Sequence, residues 1–248
     1  MKEVILITGS SRGIGAATAL LAARQGYAVC INYLRDAQAA QALCARIIED
    51  GGEAIAVQAD VGDEADVARL FREVDARLGT LTALVNNVGV LEQKCRLTEI
   101  SAARLERVLR TNVISYFLCC QQAVRRMSSA TGGQGGRIVN VSSVAARRGS
   151  ANEYVDYAAS KGAVDTLTIG LAKEVANEGI RVNCVRPGLI YTEIHASGGE
   201  PERVARLESI VPMQRGGRPE EIAHAILYLL GPGSSYATGT FLDISGGL

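Results

Sequence analysis

The chain has no apolar run approaching the ~20 residues needed to cross a bilayer, and its short N-terminal apolar stretch lacks a cleavage-site pattern. It has no net charge either, since 26 Lys and Arg balance 26 Asp and Glu. That balance gives no reason to expect nucleic acid or an anionic membrane as a partner. Histidine is scarce: His195 and His224 are too few and too far apart for an evident metal site. The six cysteines, Cys30, Cys44, Cys95, Cys119, Cys120 and Cys184, never form C-x-x-C and lie mostly in apolar segments. Buried thiols are therefore expected rather than disulfides or metal ligands. Only Cys95 falls in a loop, and no activating neighbour adjoins it in sequence. No Pro/Ser-rich linker or charge run divides the 248 residues, and no solenoid period recurs. The expectation is a cytoplasmic protein with one domain spanning 1–248, long enough to bury a sizeable core.

Short β-branched runs near 3–8, 28–33, 54–59, 82–86, 137–142, 180–185 and 239–244 read as strands. Between them lie amphipathic segments such as Ala37 to Glu49 and Asp63 to Arg77, with apolar residues three and four apart. This alternation predicts a doubly wound α/β fold, a seven-stranded parallel sheet with helices on both faces. Its ligands belong at the carboxyl ends of the strands. Two stretches break the rhythm. Ser128 to Gly136, "SSATGGQGG", is too rich in glycine for a helix and reads as a surface loop. Leu189 to Met213 shows no strand pattern, and a loop of that length in a compact domain is usually a functional lid.

Chemistry enters first at Thr8 to Gly15, "TGSSRGIG", between the first strand and the first helix. A helix N-terminus offers free N–H groups to a phosphate. Glycines at 9, 13 and 15 allow a tight turn, close approach of a pyrophosphate, and close packing of helix on strand. The spacing is G-x-x-x-G-x-G rather than G-x-G-x-x-G, and taken alone it also fits a structural turn. The second strand ends in the neutral pair Asn32-Tyr33, where an acid would hold adenosine ribose hydroxyls. With Arg12 and Arg35 close by in sequence, NADP(H) is expected over NAD(H). Asp36, just beyond, is read as favouring the next helix.

A second feature is "YAASK", which puts Tyr157 and Lys161 four apart on one helix face. An ammonium beside a phenol favours the phenolate, moving it toward the working range of an acid/base catalyst. The same pair also occurs on ordinary solvated helix faces. Tyr154 is ~10 Å of helix from Lys161 and is read as packing.

Taken together the motifs resemble the short-chain dehydrogenase/reductase (SDR) family over essentially the whole chain. They are "TGSSRGIG", Asp60, "NNVG" from Asn86 to Gly89, Asn112, "NVSS" ending at Ser143, "YAASK", and "RPG" from Arg186 to Gly188. The resemblance implies that Tyr157 exchanges the proton, Ser143 hydrogen-bonds the reacting oxygen, Lys161 binds the nicotinamide ribose, and Asn112 positions a water in a proton relay. Ser143 is preferred to Ser142 because adjacent strand-end serines point to opposite sides and the family uses the second. Implied cofactor contacts begin with Gly9, Ser11, Arg12, Gly13, Ile14 and Gly15 in the turn, then Asn32 and Tyr33. They continue with Asp60 and Val61 near the adenine, and with Asn86, Asn87 and Gly89 along the cofactor. Tyr157, Lys161, Pro187, Gly188, Ile190 and Thr192 complete the set. By themselves, Asn112 also fits a satisfied buried amide and Asp60 a strand-end cap. Val88 departs from the usual Ala and Ser245 from the usual Asp, and neither touches the implied tetrad.

The reaction implied is hydride transfer between NADP(H) and a carbonyl or secondary alcohol, of sugar, ketone or 3-oxoacyl type. The pattern is similar to bacterial glucose dehydrogenases and 3-oxoacyl-carrier-protein reductases. Arg125, Arg126 and Lys173 are candidates for the basic patch an acidic carrier would need. In the lid, His195 is read as solvated, and His224 as lying on the exposed face of Glu220 to Leu230. The other reading is a non-catalytic NADP(H)-sensing protein, which would not need an acid/base tyrosine. The family also implies a homotetramer with the helices near 101–127 and 154–178 and the C-terminal "YATGTFLDISGGL" at its interfaces, and Tyr116-Phe117-Leu118 as apolar interface or core.

Overall fold

The first strand, β1 (Val4–Ile7), is apolar at every position because both its faces are covered. Successive side chains point oppositely, so Val4 and Leu6 enter one core and Ile5 and Ile7 the other. A computed structural model describes residues 2–248. Its elements run β1, α1 (Gly13–Arg24), β2 (Ala28–Tyr33), α2 (Ala37–Glu49), β3 (Glu53–Gln58), α3 (Glu64–Arg77) and β4 (Ala83–Asn86). Then follow α4 (Ala102–Leu109), a π turn (Arg110–Ile114), α5 (Ser115–Met127), β5 (Gly136–Val141), α6 (Ala145–Arg148) and α7 (Val155–Val175). The chain closes with β6 (Ile180–Pro187), α8 (Ile194–Ser197), α9 (Arg203–Leu207), α10 (Pro219–Leu230) and β7 (Phe241–Ile244).

The strands form one parallel sheet of seven, in the order β3-β2-β1-β4-β5-β6-β7. Helices α3, α5 and α7 pack their buried Phe71, Met127 and Val175 on one face. On the other face α1, α2 and α10 bring Ala19, Ile47 and Ile226. Strand order reverses between β1 and β4, which opens a crevice at their carboxyl ends, beside Thr8 and Asn86.

Caps mark where helices begin. Asp36 accepts from the Ala39 N–H (3.0 Å), as its position past β2 predicts, Asp63 from Asp66 (3.0 Å) and Ser101 from Arg104 (3.3 Å). α1 differs, with neither a side-chain cap nor an acid in its first turn. The expected long helix over 101–127 is broken by the π turn, and two short helices stand in the expected loop 189–213, too brief for a legible period. Among the described residues, no helix is long and apolar enough to cross a membrane.

Candidate active site

The turn after β1 is braced from two neighbouring strands. Buried Asn32 accepts from Gly9 N–H (3.1 Å) and donates to Ala59 O (3.1 Å). Its side chain is thus committed to the scaffold, with half-buried Tyr33 beside it at the end of β2. Asn87 donates to both Thr8 O and Gly9 O (3.0 Å each), while Thr8 Oγ1 accepts from the N–H groups of Asn87 (3.0 Å) and Val88 (3.2 Å). Gly13 lies at φ +56°, and a Cβ on Gly15 would come within 2.7 Å of Ser10 Cα. These positions require glycine. The braced turn presents the uncapped α1 N-terminus, with Ser11, Arg12, Gly13 and Ile14 around it, so the residues present fit a phosphate-bearing dinucleotide. The guanidiniums of Arg12 and Arg35 are exposed, and among the described residues neither has a carboxylate within 4 Å.

Past β3, Asp60 Oδ1 accepts from Gly62 N–H (2.9 Å), the turn-closing role that a strand-end Asp can play, and Val61 is buried beside it. Val88 lies against Gly9. Across the crevice, Gly188 fits closely on Ser245, where a Cβ would stand 2.7 Å from Ser245 Cα. Pro187 and Ile190 are buried, and the methyl of Thr192 stands 3.4 Å from where a Gly13 Cβ would be. The start of the lid therefore roofs the glycine turn.

At the end of β5, Ser142 turns inward and donates to Lys161 O (3.1 Å). Ser143 Oγ accepts instead from Ala145 N–H (3.1 Å), and its hydroxyl lies near enough to the Tyr157 phenol to act on it. Burial pushes the Tyr157 phenol up to about 12, opposed by the nearby Ser143 hydroxyl. The expected lowering by Lys161 is not the controlling influence. Its Nζ donates to Val141 O (2.8 Å) and Tyr116 Oη (3.2 Å) and stands 5.8 Å from the centre of the Tyr157 ring. Burial among such neutral partners lowers the ammonium to about 8. Asn112, fully buried in the π turn, accepts from Val90 N–H (2.8 Å) and donates to Val90 O (3.1 Å) and Ser160 Oγ (3.1 Å). It ties the segment after β4 to α7. Near it, a Cβ on Gly89 would lie 3.6 Å from Lys161 Nζ. Asn112, Ser143, Tyr157 and Lys161 thus converge on the crevice from three segments, the π turn, the end of β5 and α7.

Some side chains depart from expectation. His195 is buried, not solvated, because its Nε2 is hydrogen-bonded to Ile190 O (3.1 Å) under the lid. Tyr154 does more than pack, since its hydroxyl donates to Glu200 Oε2 (3.0 Å) and Gly198 O (3.3 Å). Cys95 does have a charged neighbour, remote in sequence: Arg104 Nη1 lies 3.0 Å from its sulfur. Arg126 pairs with Asp75 (2.7 Å) and stacks on Phe71, so it offers no free charge to a basic patch. His224 is exposed, as read. Burial pushes the thiols of Cys30, Cys119, Cys120 and Cys184 upward, as inert core cysteines require.

Two participants had no legible signal. Tyr116, embedded in an apolar run, donates to Val141 O (2.8 Å) and Val88 O (3.0 Å) and receives Lys161 Nζ. Arg104 makes a two-pronged buried pair with Asp156, through Nε at 2.7 Å and Nη2 at 3.1 Å, and so fixes the residue before Tyr157. Only an i, i+52 contact reveals this pair.

Comparison with known proteins agrees with this architecture. A family model described as enoyl-(acyl carrier protein) reductase matches residues 9–248. The chain is 58% identical over 244 residues to the uncharacterized oxidoreductase YgfF of Escherichia coli (strain K12), covering 98% of this chain and 99% of that protein. It is 36% identical to a 3-oxoacyl-[acyl-carrier-protein] reductase of Synechocystis sp., covering 99% and 96%. A short chain dehydrogenase from Burkholderia cenocepacia, solved in complex with NADP, superposes with a TM-score of 0.91 at 34% identity, covering 100% and 98%. With its doubly wound sheet, phosphate-ready turn and Ser-Tyr-Lys-Asn cluster, the chain belongs to the short-chain dehydrogenase/reductase family of oxidoreductases.

Proposed function

We propose that this protein is an NADP(H)-dependent reductase of small carbonyl compounds, acting reversibly on the corresponding secondary alcohols. The observation that carries the reading is the Ser143 hydroxyl set beside the Tyr157 phenol, with the Nζ of buried Lys161 5.8 Å from the centre of the Tyr157 ring, at the crevice beside the uncapped α1 turn. When bound, the nicotinamide supplies or accepts the hydride. Gly9, Gly13 and Gly15 hold the pyrophosphate against backbone N–H groups, and Gly89, Pro187, Gly188, Ile190 and Thr192 wall the nicotinamide end. Tyr157, with its phenol near 12, stays protonated at neutral pH and donates its proton to the carbonyl oxygen. Ser143 donates a second hydrogen bond to that oxygen as charge develops on it. Lys161 holds the ribose, and the Asn112 segment orders the relay that reprotonates Tyr157.

Preference for NADP(H) is supported by unpaired Arg12 and Arg35, by the acid-free end of β2, and by the NADP complex of the Burkholderia relative. Asp36 is occupied in capping α2. Replacing both arginines by alanine is expected to weaken NADPH about tenfold or more and leave NADH little changed, as read by fluorescence titration. Equal loss for both cofactors would contradict the assignment. We also propose a homotetramer that covers Leu105, Leu109, Ile114 and Phe117, each at least 39% exposed along α4, the π turn and α5.

A further inference from the structure

The lid leaves the sheet after β6, and its two ends are tied together. Gly217 N–H donates to Leu189 O (2.8 Å) and Tyr191 N–H to Gly217 O (2.9 Å). Its middle is held by a cluster of charges. Arg203 places Nη2 2.5 Å from Glu153 Oε2 and Nη1 2.7 Å from Glu200 Oε2. Arg206 reaches Glu200 Oε1 at 2.7 Å, and Lys94 lies 3.6 Å from Glu200 and 3.8 Å from Glu153. Tyr154 donates to Glu200 and carries the Arg203 guanidinium 4.8 Å above its ring.

These groups come from segments that do not otherwise belong together. Glu200, Arg203 and Arg206 are on the lid, whereas Glu153 and Tyr154 form the shoulder of α7. Tyr157 follows Tyr154 by less than one helical turn. Gly198, between α8 and the cluster, leans on Leu91 and the Tyr154 hydroxyl, and Gly199 sits at φ +81°, a conformation suited to a hinge.

We propose that this cluster is a latch and Arg203 its positioning residue: it fixes lid residues 192–207 against the shoulder of the helix bearing Tyr157. Opening for substrate entry and product release then requires breaking its ion pairs. The proposal rests on the reductase reading above, because only a protein that admits a substrate needs the lid to open. The core of the latch is shielded, with side chains 11% (Arg203), 19% (Glu200) and 22% (Glu153) exposed, so water screens these pairs incompletely. Arg206 and Lys94, each 44% exposed, contribute less. Against the burial that would raise it, Arg203 and Tyr154, helped by Arg206 and Lys94, hold the Glu200 carboxyl down to about 2, so the latch stays charged throughout the neutral range.

Hydrogen–deuterium exchange on the purified full-length protein tests this. Arg203→Met and Glu200→Gln would be compared with the parent at low salt and at about 1 M sodium chloride. Amides of 192–207 are expected to exchange about fivefold faster in either variant at low salt. The parent should move part of the way toward the variants at high salt, through its exposed Arg206 and Lys94 pairs, while strands and α7 keep their protection. In NADPH oxidation, the variants should raise KM with kcat unchanged or higher, and lose the dependence of KM on ionic strength. Unchanged lid exchange in both variants, or loosening spread evenly over the sheet, would overturn the latch. Exchange needs no turnover, so an inactive protein with a salt-sensitive lid would count against the reductase reading and leave the latch standing. An active protein with an insensitive lid would do the reverse.

Discussion

Replacing Lys161 with Met should abolish turnover and yet stabilise the protein. Lys161 is 2% exposed, and among the described residues its ammonium has only Val141 O and Tyr116 Oη as hydrogen-bond partners. Its value falls from 10.5 to about 8, so the native state binds the lysine proton less tightly than the unfolded chain does. The sign follows: this group opposes folding fully below about 8, and the cost is relieved as pH rises toward 10.5. Those two values give a cost of about 3 kcal/mol at about pH 7 and about 1 kcal/mol at about pH 9.5. Met has similar length and carries no charge, and Tyr116 still donates to Val141 O at 2.8 Å, so no acceptor is left bare. Urea unfolding at one fixed protein concentration should find the variant more stable by roughly 2–3 kcal/mol at neutral pH, with the gap narrowing by more than half at the higher pH. A variant less stable than the parent, or a gap independent of pH, would refute this account of the buried lysine.

Arg104→Met leaves Asp156 buried without its partner and should cost about 3–5 kcal/mol in urea unfolding; a change under about 1 kcal/mol would show that the pair does not anchor the start of α7. Ser143→Ala removes the hydroxyl that opposes the burial shift on Tyr157, so the phenol should rise further. The rate of alcohol oxidation, which needs the phenolate, should then climb only at higher pH than in the parent. A pH–rate profile left in place would mean that Ser143 does not face Tyr157 during turnover.

Regular features were readable wherever a short pattern specifies them. Seven apolar runs gave seven strands, and α2 begins and ends at Ala37 and Glu49 as its periodicity indicates. The glycine turn and the Tyr157–Lys161 spacing also announce themselves locally. What escaped depends on contacts distant in sequence. Asn32 looks like a cofactor contact from its place at the end of β2, but its amide is consumed in bracing Gly9 and Ala59. His195 is polar and lies in a loop, so composition places it in water, whereas a hydrogen bond to Ile190 O lets it be buried. Tyr116 and Arg104 gain their roles only when β4, β5 and α7 are brought side by side. The proximity of Tyr157 and Lys161 along the helix likewise hides the fact that Val141 and Tyr116 take the lysine's hydrogen bonds.

The most direct measurement is NADPH oxidation by the purified protein over a panel of ketones, aldehydes, quinones and 3-oxoacyl thioesters, with Tyr157→Phe in parallel. The account predicts turnover of at least one carbonyl class, lost by about 10²-fold or more in Tyr157→Phe while NADPH binding is kept. Activity retained in the variant would contradict the role given to Tyr157. NADPH binding without turnover of any carbonyl would favour a cofactor-sensing protein instead.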